Sequence, residues 1–360
     1  MEADLRCRPL TRRFLLASLN ASLWTSLAVV ALGLTAHAAD ETTGDVHAAC
    51  PADQIWKIDA RCAPVCGDLL QGTQRLRFFR RVGCRWQASS LEEFLASGGA
   101  AYSTCIAVHG NRTDNELADE YGLSSYHRLR QSGRCCGPLR LVLWSWPSER
   151  THVVNRADVL EKGMRSDSQG YYLAWLIQQM DPTEPICLLG YSHGCRASAG
   201  ALHLLAGGSV ARRTLPGTPV ERLPLRAILM AGAVDNDTFL PGRTHGQALS
   251  QVDRILVMYN PRDSILRLYP RLERSLLPDA LGYSGISNIH RLGAERNKVQ
   301  QLNVSRWVSE HDFREYLASC AVGSYMVPYV FRPPVELPVD TSPLEISPAE
   351  TDAAPLLISP

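Results

Sequence analysis

Five short apolar runs, at residues 104–108, 139–144, 186–189, 225–231 and 254–259, alternate along the chain with stretches of helical periodicity. Such alternation is the pattern of βαβ crossovers, in which a helix joins two parallel strands and covers the sheet they form. It predicts an α/β fold built on a mostly parallel sheet. Between the second and third runs, Leu173, Leu176, Ile177 and Met180 recur at helical spacing, and Pro182 marks the end of that helix. Residues 55–60 and 75–82 read as two leading strands and 299–304 as a last one.

The third run feeds directly into Gly190-Tyr191-Ser192-His193-Gly194, a GxSxG sequence, and a helix from His193 through Leu202 and Leu205 leads out of it. A strand before and a helix after are the context of a nucleophile elbow. A serine hydroxyl attacks poorly at its ordinary pKa, so it has to stand on a tight turn where a base reaches it. Gly190 and Gly194 supply the clearance for that turn. Upstream, Cys105-Ile106-Ala107-Val108 runs into His109-Gly110-Asn111. A turn there aims a backbone N–H at developing oxyanion charge, beside the N–H of His193. The alternative is an ordinary strand-end turn.

For the acid, Asp263 follows the run 254–259, which puts a carboxylate at the carboxyl edge of the sheet. Asp235 and Asp237, after the preceding run, are its rivals. For the base, His311 stands after the last strand and at the start of the last helix, where the helix dipole disfavours the imidazolium. His290 is the rival, but it precedes that strand. Ser309-Glu310-His311-Asp312 reads as an S-x-x-D capping box for a closing helix through Phe313, Tyr316 and Leu317. Ser192, Asp263 and His311 thus occur in the order nucleophile, acid, base. Trp144 and Trp146 sit just beyond a strand on the same edge and, with Tyr191, are candidates to wall a substrate pocket. Packing of the indoles beneath the loop is the competing reading.

The N-terminus carries Arg6, Arg8, Arg12 and Arg13, an apolar run over 14–35, and then Ala36-His37-Ala38 with small residues about a cleavage point. Residues 1–38 read as a secretory signal cut after Ala38, with an uncleaved membrane anchor as the alternative. Thr11-Arg12-Arg13-Phe14-Leu15 partly matches a twin-arginine export motif. A periplasmic, extracellular or membrane-anchored location follows. Loss of Cys7 with that segment leaves ten of the eleven cysteines. Cys50, Cys62, Cys66 and Cys84 cluster among turn residues, where one or two disulfides are expected with partners open; a zinc site is the lesser reading, since no second CxxC or His pair completes it. Cys105 and Cys187 lie in apolar runs and read as buried thiols. With 37 basic and 36 acidic residues the formal charge is +1, and no Lys or Arg block is read beyond the N-terminal segment. The chain is therefore expected to bind neither nucleic acid nor membrane beyond a possible N-terminal anchor. Residues 39–54 form a linker, 55–332 the catalytic domain, and 333–360, proline-rich and without Lys or Arg, a disordered tail.

Three segments, HGNRTD from His109, WSWPSER from Trp144 and GYSHG from Gly190, give the chain a resemblance to the α/β-hydrolase superfamily. More narrowly it is similar to exported bacterial esterase/lipase-like proteins that pair HGN, SWPS and GxSxG segments. The resemblance covers residues 55–331 and implies an eight-stranded, mostly parallel sheet with helices on both faces. It implies Ser192, Asp263 and His311 as triad and Asn111 and His193 as oxyanion donors, with no metal or cofactor. Two departures are His193 itself, where many relatives carry another residue, and the stretch 236–251, which is short for a lid and favours small or accessible esters. The expected activity is hydrolysis of a small-molecule carboxylic ester through an acyl-enzyme. Acyl transfer on the same triad, and a non-catalytic exported binding protein that keeps the fold, are the alternatives.

Overall fold

The computed structural model describes residues 52–332, except 66–67, 154, 218–220 and 273–277. Residues 1–38, expected to direct export, nearly all of the expected linker and residues 333–360 lie outside the described residues, as do Cys50 and Cys66. Nine strands form one sheet: β1 (Gln54–Asp59), β2 (Arg77–Val82), β3 (Arg85–Ser89), β4 (Ser103–Val108), β5 (Leu139–Ser145), β6 (Ile186–Tyr191), β7 (Leu225–Met230), β8 (Val252–Tyr259) and β9 (Val299–Asn303). Their order is β3-β2-β1-β5-β4-β6-β7-β8-β9. The seven from β1 to β9 pair in parallel, and the β2–β3 hairpin adds an antiparallel edge.

Helices α1 (Leu69–Thr73) and α2 (Leu91–Ala96) flank the hairpin. Three longer ones, α3 (Asn115–Ser132), α4 (Asn155–Gln179) and α5 (His193–Leu205), follow β4, β5 and β6. Single turns α6 (Tyr269–Leu272) and α7 (Leu281–Ser284) come after β8, and α8 (Phe313–Ala318) and α9 (Cys320–Val330) after β9.

Strands β5, β6 and β7 are buried along their whole length, which is why they read as unbroken apolar runs. Side chains of a strand alternate between faces. In β6, Ile186 and Leu188 enter one apolar layer with Tyr172, Leu173 and Leu202 of α4 and α5. Cys187, Leu189 and Tyr191 enter the other, with Tyr121 of α3, Tyr316 of α8 and Met326 of α9. Burying each such Leu or Ile contributes about 1.5–3 kcal/mol. Helices thus cover both faces. This is the α/β-hydrolase fold, with one strand more than the eight expected.

The extra strand is β3, whose Arg-Trp-Gln-Ala-Ser sequence lacks the apolar alternation that marks a half-buried strand. Two further differences, and the short stretch 236–251, bear on the site. The closing helix breaks at Ser319, which caps α9 by accepting from the Val322 N–H. The cap of α8 is Asp312, accepting from the Arg314 N–H, and not Ser309. Ser309 is instead held by Glu315, whose carboxylate oxygens lie 2.9 and 3.0 Å from its hydroxyl. The stretch 236–251 is no flap: Phe239, Leu240 and His245 are buried, and a short 3-10 turn, Ala248–Gln251, leads into β8.

Candidate active site

From β4 the chain passes to β5 on one side and then crosses back over β4 to β6 on the other. The carboxyl ends of β4 and β6 therefore flank a topological switch point, where α/β sheets place their sites. Val108 at the end of β4 is in register with Gly190 of β6. Ser192 follows directly, with φ 53° and ψ −119°, a left-handed backbone that an L residue adopts only under strain. Its N–H donates to the Met230 carbonyl at 3.0 Å, and its own carbonyl accepts from Cys195 and Ala233 at 3.0 and 3.1 Å. The turn is thus fixed from β7 and from α5. A Cβ at Gly194 would lie 2.1 Å from the Val108 carbonyl oxygen, and one at Gly190 would lie 2.8 Å from the Cys195 Cα. Both glycines are required by backbone they cannot push aside.

Asp263 lies four residues beyond β8, and its N–H donates to the Asn260 carbonyl at 3.0 Å. One carboxylate oxygen accepts from the N–H groups of Ile265 and Leu266 at 3.0 and 2.8 Å; the other is 2.7 Å from His311 Nδ1. His311 Nε2 is 3.0 Å from Ser192 Oγ. The carboxylate is fully buried, the serine 4% exposed and the imidazole side chain 14% exposed, so the chain of contacts opens outward from acid to base. Tyr191 packs on the His311 ring at 5.3 Å between centroids, itself backed by Phe313 and Tyr316. Of the rivals, Asp235 accepts from the Tyr269 hydroxyl at 2.9 Å, Asp237 pairs with Arg243 at 3.0 Å, and His290 is exposed on the stretch before β9.

Asn260 is a part of the site that the sequence reading missed. It is fully buried; its side-chain amide donates to the Val308 carbonyl at 3.1 Å, and its side-chain oxygen accepts from the Arg262 N–H at 2.9 Å. It thereby ties the turn that carries Asp263 to the loop that carries His311. The only sequence signal was its place, one residue past an apolar run.

His109 is fully buried, and burial pushes its pKa down to about 3. The neutral ring accepts the Trp146 N–H at Nε2, 3.0 Å away, so the proton sits on Nδ1, which donates to the Gly110 carbonyl at 2.9 Å. Thr113 Oγ1 donates to the same carbonyl at 3.1 Å. In a trans peptide the N–H opposes the carbonyl, so the Asn111 N–H is turned away from this pair. Gly110 backs onto Ser192: a Cβ there would lie 3.0 Å from the Ser192 Cβ. The Asn111 side chain takes no part, its oxygen accepting from the Arg112 N–H at 2.7 Å.

His193 opens α5, so its N–H belongs to the first turn and has no partner within the helix. Its side chain is buried, with Nδ1 unpartnered, and burial lowers its pKa to about 3. The tryptophans do not wall an open pocket. Both are fully buried in the core: Trp144 donates from its indole to Gln169 Oε1 at 2.9 Å, and Trp146 to the His109 carbonyl at 2.8 Å while stacking on the His109 ring. The packing alternative holds because both indole N–H groups find partners inside.

No family model and no curated protein sequence matches the chain. Among solved structures it is similar to the catalytic core domain of acetyl xylan esterase from Trichoderma reesei, at 11% identity and TM-score 0.32, over 63% of this chain and 96% of that one. It is similar to an inhibited esterase B from Lactobacillus rhamnosis, at 11% identity and TM-score 0.34, over 77% and 86%. A cutinase-like protein from Cryptococcus sp. is similar at 12% identity and TM-score 0.25, over 65% and 93%.

Proposed function

We propose that the protein is an exported serine hydrolase of carboxylic esters. One observation carries the reading: the unbroken contact from Asp263 to His311 at 2.7 Å and from His311 to Ser192 at 3.0 Å, on a strained turn at the switch point of the sheet. His311 Nε2 takes the Ser192 proton as Oγ attacks the ester carbonyl, and Asp263 holds the Nδ1–H tautomer and stabilises the imidazolium. The N–H groups of His193 and Asn111 receive the oxyanion. Collapse expels the alcohol, protonated by His311, and leaves an acyl-serine. Water, deprotonated by the same imidazole, then releases the acid.

The packed 236–251 stretch favours short esters that reach Ser192 without a lid opening. Acyl transfer drew its support from an acceptor wall of Trp144 and Trp146, and with both indoles in the core that support is gone. The test is hydrolysis of p-nitrophenyl esters from acetate upward, with fluorophosphonate labelling alongside. Wild type is expected to turn over the short esters fastest and to be labelled; Ser192→Ala is expected to lose labelling and about six orders of magnitude in kcat. Absence of both turnover and labelling in wild type would sink the proposal and leave the non-catalytic reading.

A further inference from the structure

Residues 69–90 contain Arg75, Arg77, Arg80, Arg81 and Arg85 and no Asp or Glu, a formal +5 in a chain whose total is +1. The sequence reading found no basic block here because apolar residues space the arginines out. Folding gathers them on the β2–β3 hairpin and its approach, at the free edge of the sheet. Arg75, Arg77, Arg80 and Arg85 are exposed and Arg81 half-buried.

Among the described residues none of the five forms an ion pair. Arg77 donates to Cys62 Sγ, while Arg80 and Arg81 lie over the rings of Trp56 and Trp86 at 5.8 and 5.4 Å. Nearby carboxylates are engaged elsewhere: Asp119 with Lys57 and the Trp86 indole, Glu93 with Ser89, and Asp59, opposite Arg77 in register, with the Arg61 N–H. Charges on an edge strand commonly serve to block strand addition. That accounts for Arg85 on β3 but not for Arg77, Arg80 and Arg81 on β2, which is paired on both sides.

The patch is also apolar in part. Val82, at the hairpin tip beside Gly83 (φ 57°), is 49% exposed. Unpaired guanidinium groups around exposed aliphatic surface suit an amphiphile with anionic heads better than a purely ionic polymer.

We propose that this hairpin docks the protein on an anionic lipid bilayer by its tip, with Arg80, Arg81 and Arg85 on headgroup phosphates and Val82 in the headgroup–acyl boundary, while Arg75 and Arg77, toward the Asp59 end of β2, stay off the membrane. The tip, whose Val82 lies beyond the Trp56–Arg80 pairing, is at the amino ends of the parallel strands, whereas Ser192 is at their carboxyl edge. Docking by the tip leaves the candidate active site facing solvent.

The test is co-sedimentation of the full-length chain with phosphatidylcholine vesicles, with and without phosphatidylserine, at low and high salt. Neutral vesicles report any contribution of the apolar N-terminal segment. Each basic side chain near an anionic membrane is worth about fivefold in affinity, so R80Q/R81Q/R85Q is expected to weaken binding to phosphatidylserine vesicles about a hundredfold. High salt is expected to weaken wild type likewise, and R80K/R81K/R85K to bind as wild type does. Equal binding to both vesicles, an unchanged glutamine variant, or binding to DNA or heparin without binding to vesicles would overturn the proposal.

Discussion

His109 is a histidine beside Ser192 whose work is to hold backbone. Both ring nitrogens are committed, one to the Trp146 N–H and one to the Gly110 carbonyl, and the ring is neutral far below ordinary pH. Its contribution is the orientation of the peptide between Gly110 and Asn111. His109→Phe keeps a flat ring against Trp146 but leaves a buried N–H and a weakened carbonyl, a cost of about 1–3 kcal/mol. In the proposed function the Asn111 N–H receives the oxyanion, so the freed peptide would no longer aim it, and loss of an oxyanion donor costs about a hundredfold in kcat. We expect His109→Phe to show both effects, with KM little changed. Titrating active sites with fluorophosphonate separates them, since a purely structural role would leave kcat per labelled site intact.

Between elements, the mutual position of Asp263 and His311 depends on how the turn after β8 meets the loop after β9. Asn260 is the link, reaching Val308 from the residue just beyond Tyr259. Asn260→Leu, similar in size, is expected to destabilise the fold by about 1–3 kcal/mol and to lower kcat as Asp263 and His311 lose their mutual position. Denaturant midpoint and kcat report the two, and unchanged kcat in folded protein would contradict a positioning role. The central strands were legible in sequence because burial on both faces forces continuous apolar runs, and chain order and edge position pointed to Ser192, Asp263 and His311, which the fold brings within hydrogen-bond distance of one another. The edge was not legible. Strand β3 turns polar side chains to water and is specified by its pairing with β2 and the turn at Gly83, a tertiary signal. The capping box misled because Ser309 and Glu315 bind each other across six residues, so the helix begins one turn later at Asp312. Trp144 and Trp146 misled because position on a strand end does not say which way an indole points.

Over the whole molecule, His109, His193 and His245 are all held by burial at pKa values of about 3, against an ordinary 6.5. As pH falls below 6.5 the unfolded chain takes up protons that the folded one refuses until about pH 3. The stabilisation is therefore complete above 6.5 and is lost progressively toward 3, each ring removing about 1.4 kcal/mol per pH unit inside that window. Tm measured across this range should fall steeply with acidification, and His245→Phe should flatten the fall; an unaltered slope would show that His245 is not a buried neutral ring. Three thiols occupy the same interior, Cys105 and Cys187 side by side in register on β4 and β6 and Cys195 in α5, while Cys84, Cys135 and Cys320 are exposed. An alkylating reagent meets the outer three at once and the inner three only when the centre of the sheet parts. Each opening that lets it in is written permanently into the mass of the chain, so the molecule keeps a cumulative record of how often its middle has come undone.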